Sequence, residues 1–159
     1  MNLSAAIFSR QVMALALALA CALAPAFANM GTEEAASVTE PNFVEGQKAL
    51  EAKEYVKAIV PLKKALDIDK NNPDVHNYLG YAYRNTGDYD NAFKHYQQAL
   101  MLSPGHKAAH EYIGEAYLIK NDLAKAEEHL NKLRAICMTG CSEMSLLKEK
   151  IDEYKKKKS

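Results

Sequence analysis

Three glycines recur at intervals of 34 residues, Gly46, Gly80 and Gly114, and each is followed one helix later by an alanine: Ala58, Ala92 and Ala126. Small residues in paired positions let two helices approach closely. Their repetition constrains the chain to stack copies of one helix–turn–helix unit, each burying its apolar face against the next. The unit is clearest over residues 73–106. Its first helix carries Leu79, Gly80 and Tyr83, its turn is Thr86-Gly87-Asp88, and its second helix carries Ala92, Tyr96 and Ala99. Asn72 and Pro73 supply a good N-cap and first helical residue.

A 34-residue shift toward the N-terminus lands on residues 39–72, where Gly46, Ala58, Leu62 and Ala65 stay in register. Glu45 and Ala49 stand where Leu79 and Tyr83 were, which suits a terminal unit with one open face. Pro61 falls inside the second helix, Tyr55 to Ile68, and is expected to bend it. The opposite shift lands on residues 107–140, with Ile113, Gly114, Tyr117, Ala126 and Leu130 in register. There Asn121 replaces Gly87 at the turn, and Leu133 replaces the small Ala65 and Ala99, marking the end of the array. Met144, Leu147, Ile151 and Tyr154 then fall on one face of a single Lys-rich amphipathic helix, residues 141–157, expected to cap the last unit. No run of alternating β-branched residues argues for strands, so the expected class is all-α.

The order His76-x2-Leu79-Gly80-x2-Tyr83, then Ala92-x3-Tyr96, then Pro104 resembles the tetratricopeptide (TPR) repeat, with His76 where the family most often has Trp. The resemblance implies a right-handed α-solenoid of three repeats plus the cap. It further implies that the first helices line a concave groove for peptides or extended protein segments. Helical spacing puts Asn77, Tyr81 and Arg84 on one stripe of the central repeat, apart from its core markers. The equivalent positions are Phe43, Gln47 and Leu50 before it and Glu111, Glu115 and Leu118 after it, with Tyr78 and Tyr112 beside the stripe. Each of these can equally serve as an ordinary solvated or half-packed helix residue. Arg84 is the only base in the stripe and acids gather toward the third repeat, so the expected partner has aromatic or apolar anchors and some positive charge at one end. Tyr81 is central and the expected anchor. The Lys, Asn and Arg set by which some TPR domains clamp a C-terminal carboxylate is replaced by Phe43, Gln47, Tyr78, Ala108 and Tyr112.

Residues 1–28 have a different chemistry. Arg10 is the only charge, Val12 to Leu23 is an Ala/Leu run, and Ala26-Phe27-Ala28 offers a small-x-small cleavage site. The expectation is a signal peptide cut between Ala28 and Asn29, a flexible leader over 29–38, and a periplasmic or secreted product with no stable membrane insertion. A retained anchor and a lipoprotein signal at Cys21 are the alternatives; the run is short for a ~20-residue span, and Leu19 is one place from lipobox register. In an oxidising compartment Cys137 and Cys141 are expected to form a disulfide that pins the cap.

Catalytic chemistry has little to stand on. No Ser-His-acid order, glycine-rich phosphate loop or H-E-x-x-H appears, and Ser142 follows the second cysteine where haem attachment needs His. His106 and His110 are four apart, but Pro104-Gly105 breaks the helix before them, so no metal and no cofactor are expected. Acids and bases balance at 20 each, which excludes a global field for nucleic acid. The basic tail Lys155–Lys158 reads as a solvated helix end. The expected function is therefore a non-catalytic scaffold binding another protein or peptide segment. The alternatives are a self-associating structural protein, making homo-oligomers through its open first repeat, and a thiol- or metal-handling protein centred on Cys137 and Cys141.

Overall fold

The computed structural model describes residues 40–159, so the expected signal peptide, the expected cleavage between Ala28 and Asn29 and the expected leader over 29–38 lie outside the described residues. Seven helices and no strands make up this part: α1 (Pro41–Glu51), α2 (Tyr55–Ile68), α3 (Pro73–Thr86), α4 (Tyr89–Leu102), α5 (Lys107–Ile119), α6 (Leu123–Ile136) and α7 (Ser142–Lys158). Each helix packs on the next, and α1, α3, α5 and α7 also touch in sequence, so the odd-numbered helices share one side of an all-α repeat array.

The turns follow from local chemistry. Asn72 caps α3 by accepting from the backbone amides of Asp74 and Val75 at 3.0 and 3.1 Å, with Pro73 at the first helical position. Gly87 ends α3 at φ 84°, and Asp88 then caps α4 by accepting from the Asn91 amide. Asn121 takes the equivalent left-handed position at φ 61° and Lys53 at φ 59°. Lys53 was not foreseen, because Lys carries the Cβ penalty that Asn and Gly reduce or avoid.

The close approach inside each unit is made at the recurring small residues. Ala58, Ala92 and Ala126 are fully enclosed. A Cβ on Gly46 would lie 2.5 Å from Leu62 Cγ, and one on Gly80 would lie 2.6 Å from Tyr96 Cδ1. Repeat three differs: a Cβ on Gly114 would meet Leu147 of α7 at 2.7 Å. The cap thus seats a leucine on the glycine of the last unit. Leu147 and Ile151 join Leu118, Ala126, Leu130 and Leu133 in a separate apolar cluster, which explains why the larger Leu133 is accommodated there. At the α6–α7 junction Cys137 and Cys141 stand at disulfide distance, with Cα atoms 5.7 Å apart and Gly140 between them at φ 94°.

Two histidine pairs recur with the repeat. His76 Nδ1 lies 3.0 Å from His95 Nδ1, and His110 Nδ1 lies 2.9 Å from His129 Nδ1. The other ring nitrogens of His76 and His110 meet the carbonyl oxygens of Lys70 and Pro104. A carbonyl only accepts, so these Nε2 atoms carry the proton and both Nδ1 atoms accept from His95 and His129. Burial also lowers the pKa of His76 and His110, which keeps both pairs neutral at pH 7. Tyr83 and Tyr117 stack on His95 and His129. Burial first, then the partner histidine and nearby lysines (Lys94 and Lys63 for His95, Lys132 for His129), pushes His95 and His129 down to about 4. His106, in contrast, caps α5 and pairs with Asp74, so it does not converge with His110 on a common point.

Two outcomes follow for stability. Gly80→Ala drives a methyl into the enclosed Tyr96 ring and should cost about 1–3 kcal/mol by urea midpoint, whereas Gly105→Ala, with open space around it, should be neutral. The unfolded chain binds more protons than the folded one between pH 6.5 and about 4, so the histidine contribution is complete above 6.5 and lost as pH falls. Melting temperature measured across that window should fall with acidification, and His95→Gln/His129→Gln should flatten the slope.

Candidate functional site

The side chains of the odd-numbered helices meet by a simple register rule. Gln47 Nε2 donates to the Tyr78 hydroxyl at 3.3 Å, Tyr81 packs on Tyr112 with ring centroids 4.9 Å apart, and Arg84 pairs with Glu115. The partners in each pair are 31 residues apart, one helical turn short of the repeat. Neighbouring first helices are therefore offset by about a turn, and every contact across this face joins one repeat to the next. Phe43 adds to the seam through Tyr78 at 5.5 Å, and Tyr55 of α2 reaches Tyr81 at 5.9 Å.

The eight residues read from the sequence as a groove do sit along α1, α3 and α5, but in three different situations. Gln47, Tyr78, Tyr81 and Tyr112 are half-buried and present partly exposed surface. Asn77 and Glu111 are buried, as are the flanking Phe43, Leu50 and Leu118. These five belong to the floor under the face, because the stripe turns inward where adjacent first helices touch. Arg84 and Glu115, with side chains 10% and 19% exposed, are taken up by each other. The Arg84 guanidinium also lies over the Tyr81 and Tyr112 rings at 5.3 and 5.5 Å.

This pairing corrects the charge pattern expected from the sequence. Arg84 is not an unpaired base, and Glu115 is not an unpaired acid. Burial, then Glu115 and Glu143, pushes Glu111 up to about 7, with Arg84 pulling the other way. Its proton is held in the folded state above 4.5, so this term favours folding below that pH and is lost as pH rises through 7. The face is thus largely uncharged and aromatic. Burial also raises the Tyr112 hydroxyl to about 12, so it remains a neutral donor and acceptor.

Sequence reasoning treated α7 only as a lid. In the structure its outer half closes the end of the same face: Lys150, Glu153, Tyr154 and Lys157 line a cleft with Arg84, Glu115, Leu118 and Ile119. The signal was present, since Lys150 and Lys157 flank Tyr154 at helical spacing. Among the described residues no helix is long and apolar enough to cross a membrane, and no group of three or more His, Cys, Asp or Glu is placed to hold a metal.

Comparison with known proteins agrees with this architecture. A Tetratricopeptide repeat model matches residues 73–106, and a TPR repeat model matches residues 46–87. Among solved structures, the Sgt2 TPR domain from Aspergillus fumigatus is 28% identical, with a TM-score of 0.65 over 73% of this chain and 76% of that one. The Yersinia enterocolitica type III secretion chaperone SycD, in complex with a peptide of the translocator YopD, is 18% identical with a TM-score of 0.64, covering 74% and 92%. The first TPR of Spaghetti (RPAP3), bound to the HSP90 peptide SRMEEVD, is 20% identical with a TM-score of 0.62, covering 70% and 88%. No curated protein sequence matches significantly. The fold is the all-α tetratricopeptide-repeat fold.

The Arg84–Glu115 pair generates a stability cycle. Arg84→Met strands Glu115 in a mostly buried site and should cost about 3 kcal/mol, while Arg84→Met/Glu115→Leu should recover most of that loss. Urea midpoints of the two single variants and the double variant measure the coupling. Additive losses would show that the pair does not join the repeats.

Proposed function

We propose that this chain is a non-catalytic scaffold that holds an extended segment of another protein against the face of α1, α3 and α5, and that it does so in the periplasm or outside the cell. The observation that carries the binding reading is the run of half-exposed Tyr55, Tyr78, Tyr81 and Tyr112, braced from below and across repeats. Rigid aromatic side chains with a polar tip offer contact area at low entropic cost, which is what an extended partner segment needs. Two solved neighbours of the same fold carry peptides, which supports placing a peptide on this chain too. The carboxylate-clamp positions hold Phe43, Gln47, Tyr78, Ala108 and Tyr112, so side-chain burial rather than a terminal carboxylate supplies the anchor.

Export is supported by the small-x-small Ala26-Phe27-Ala28 after an apolar run, and by Cys137 and Cys141 at disulfide distance, an arrangement suited to an oxidising compartment.

A second reading, self-association, has its own observation. Val56 and Val60 are 71% and 59% exposed one turn apart on α2, where the other repeats carry Asp90 and Lys94, or Ala124 and Glu128. Light scattering on the mature protein separates the readings: a monomer at micromolar concentration leaves the heterologous scaffold, and a dimer abolished by Val56→Lys/Val60→Lys favours self-association.

A photo-crosslinking side chain at Tyr78 or Tyr112, introduced in the producing cell, should yield adducts with another polypeptide; the same group at the exposed Lys94 of α4 should not. Equal adducts from Lys94, or none from Tyr78 and Tyr112, would overturn the binding face. The intact mass of the exported protein should begin at Asn29 and be two hydrogens lighter than the dithiol. A mass retaining residue 1, a lipid on Cys21, or two alkylatable thiols would contradict the export and disulfide readings.

A further inference from the structure

The cleft at the α7 end of the face has a chemistry that the rest of the face lacks. Its volume is about 280 Å³, at the lower edge of the ~300–1,000 Å³ typical of small-molecule sites, and it suits one or two apolar side chains. Ile119, the last residue of α5, stands 49% exposed in its wall, with Leu118 behind it. Tyr154 forms the opposite wall, held by a hydrogen bond from its hydroxyl to Asn121 Oδ1 at 3.2 Å. One wall of the cleft is therefore braced from outside it.

Charge is distributed unevenly around that apolar lining. At the inner end Arg84 and Glu115 neutralise each other. At the outer rim Lys150 is 3.4 Å from Glu153, which leaves Lys157 without a carboxylate within ion-pair distance among the described residues. Lys148 and Lys155 are occupied by Asp152 and Glu127, whereas Lys156 and Lys158, which flank Lys157, have no such partner either. The rim is thus net basic on a chain whose overall charge is zero. One further observation points inward: Arg84, nine-tenths buried and lining the cleft, has its Nε enclosed without a protein acceptor.

From this combination we infer that the α5–α7 cleft anchors a partner segment in which a Leu- or Met-sized apolar side chain is flanked by carboxylates. The apolar side chain buries against Leu118, Ile119 and Tyr154, and the flanking acids meet Lys150 and Lys157. Such rim charges act mainly through orientation and encounter rate, and they exclude segments with basic flanks. The inference rests on the reading that this side of the array binds protein segments. It names the chemistry at one end and reverses the charge expected from the sequence, because Glu115 is paired with Arg84, Glu111 is buried, and the exposed charge at this end comes from Lys150 and Lys157.

The test uses the mature chain with three labelled synthetic hexapeptides: Glu-Glu-Leu-Leu-Glu-Glu, Lys-Lys-Leu-Leu-Lys-Lys and Glu-Glu-Gly-Gly-Glu-Glu. Only the first should move the amide resonances of Leu118, Ile119 and Tyr154, with an affinity that falls as salt is raised. Lys150→Glu/Lys157→Glu should weaken it about tenfold, a change of about 1.4 kcal/mol, and Ile119→Ser should do likewise with the melting temperature unchanged. Both variants alter exposed positions; if the charge reversal perturbs folding by circular dichroism, Lys150→Gln/Lys157→Gln replaces it. Binding of the lysine peptide as tightly as the glutamate one, or no movement at ~1 mM peptide, overturns the inference. Shifts confined to Gln47, Tyr78 and Tyr81 would also overturn it while leaving the broader binding face standing. Cross-links at Tyr78 and Tyr112 without peptide binding at the cleft distinguish the same two failures.

Discussion

The structure depends on how closely two helices can pass within one repeat. The Tyr96 ring covers Gly80 and the Leu62 side chain covers Gly46, at distances that leave no room for a Cβ. Dispersion contacts at this range are small singly and large in sum, and Ala58 and Ala92 on the second helices are fully enclosed beside them. Everything outside follows from that spacing. Each second helix also packs on the first helix of the next unit, and neighbouring first helices touch, with side chains that interlock across the repeat boundary. The last glycine shows the same constraint from another direction, since α7 closes the array by setting Leu147 where a second-helix side chain sits in the earlier units.

A second consequence concerns polarity. The one-turn offset between neighbouring first helices brings Arg84 to Glu115 and Gln47 to Tyr78, so the charges of Arg84 and Glu115 cancel within the array, with only Arg84 Nε left without a protein acceptor. Burying an ion pair adds little net stability over apolar residues of similar size, but it fixes register between repeats. The histidine pairs act in the same manner on the other side of α3 and α5. Each neutral pair ties a first helix to its second helix and to the preceding turn carbonyl. What remains open on the α1–α3–α5 face is aromatic, and what remains charged is carried by α7.

The helices, the Asn72 cap and the turns at Gly87 and Asn121 were legible because each depends on neighbours in the chain. Asn72-Pro73 can begin a helix whatever surrounds it, Gly87 and Asn121 can reverse it, and a glycine recurring with an alanine demands a stacked unit. Lys53 at positive φ carries no such mark in its residue type; only its 34-residue register with Gly87 and Asn121 points to the turn. Helical spacing also placed the stripe residues on α1, α3 and α5.

Exposure and charge state were decided elsewhere. Asn77 and Glu111 share a stripe with Tyr81 and Glu115, yet they are buried because adjacent first helices cover them. Arg84 was countable as a base from the sequence; only a partner 31 residues away cancels it, and that distance is a property of the superhelical offset rather than of either helix alone. Likewise Lys150, Tyr154 and Lys157 read as the surface of a cap until α7 is set against the end of α5 and their side chains form a cleft with Ile119. The sequence by itself thus determined the repeats and their turns, through short-range sterics and hydrogen bonding. Tertiary structure alone decided which polar groups are left for a partner, because desolvation and pairing depend on side chains that meet only after the repeats stack.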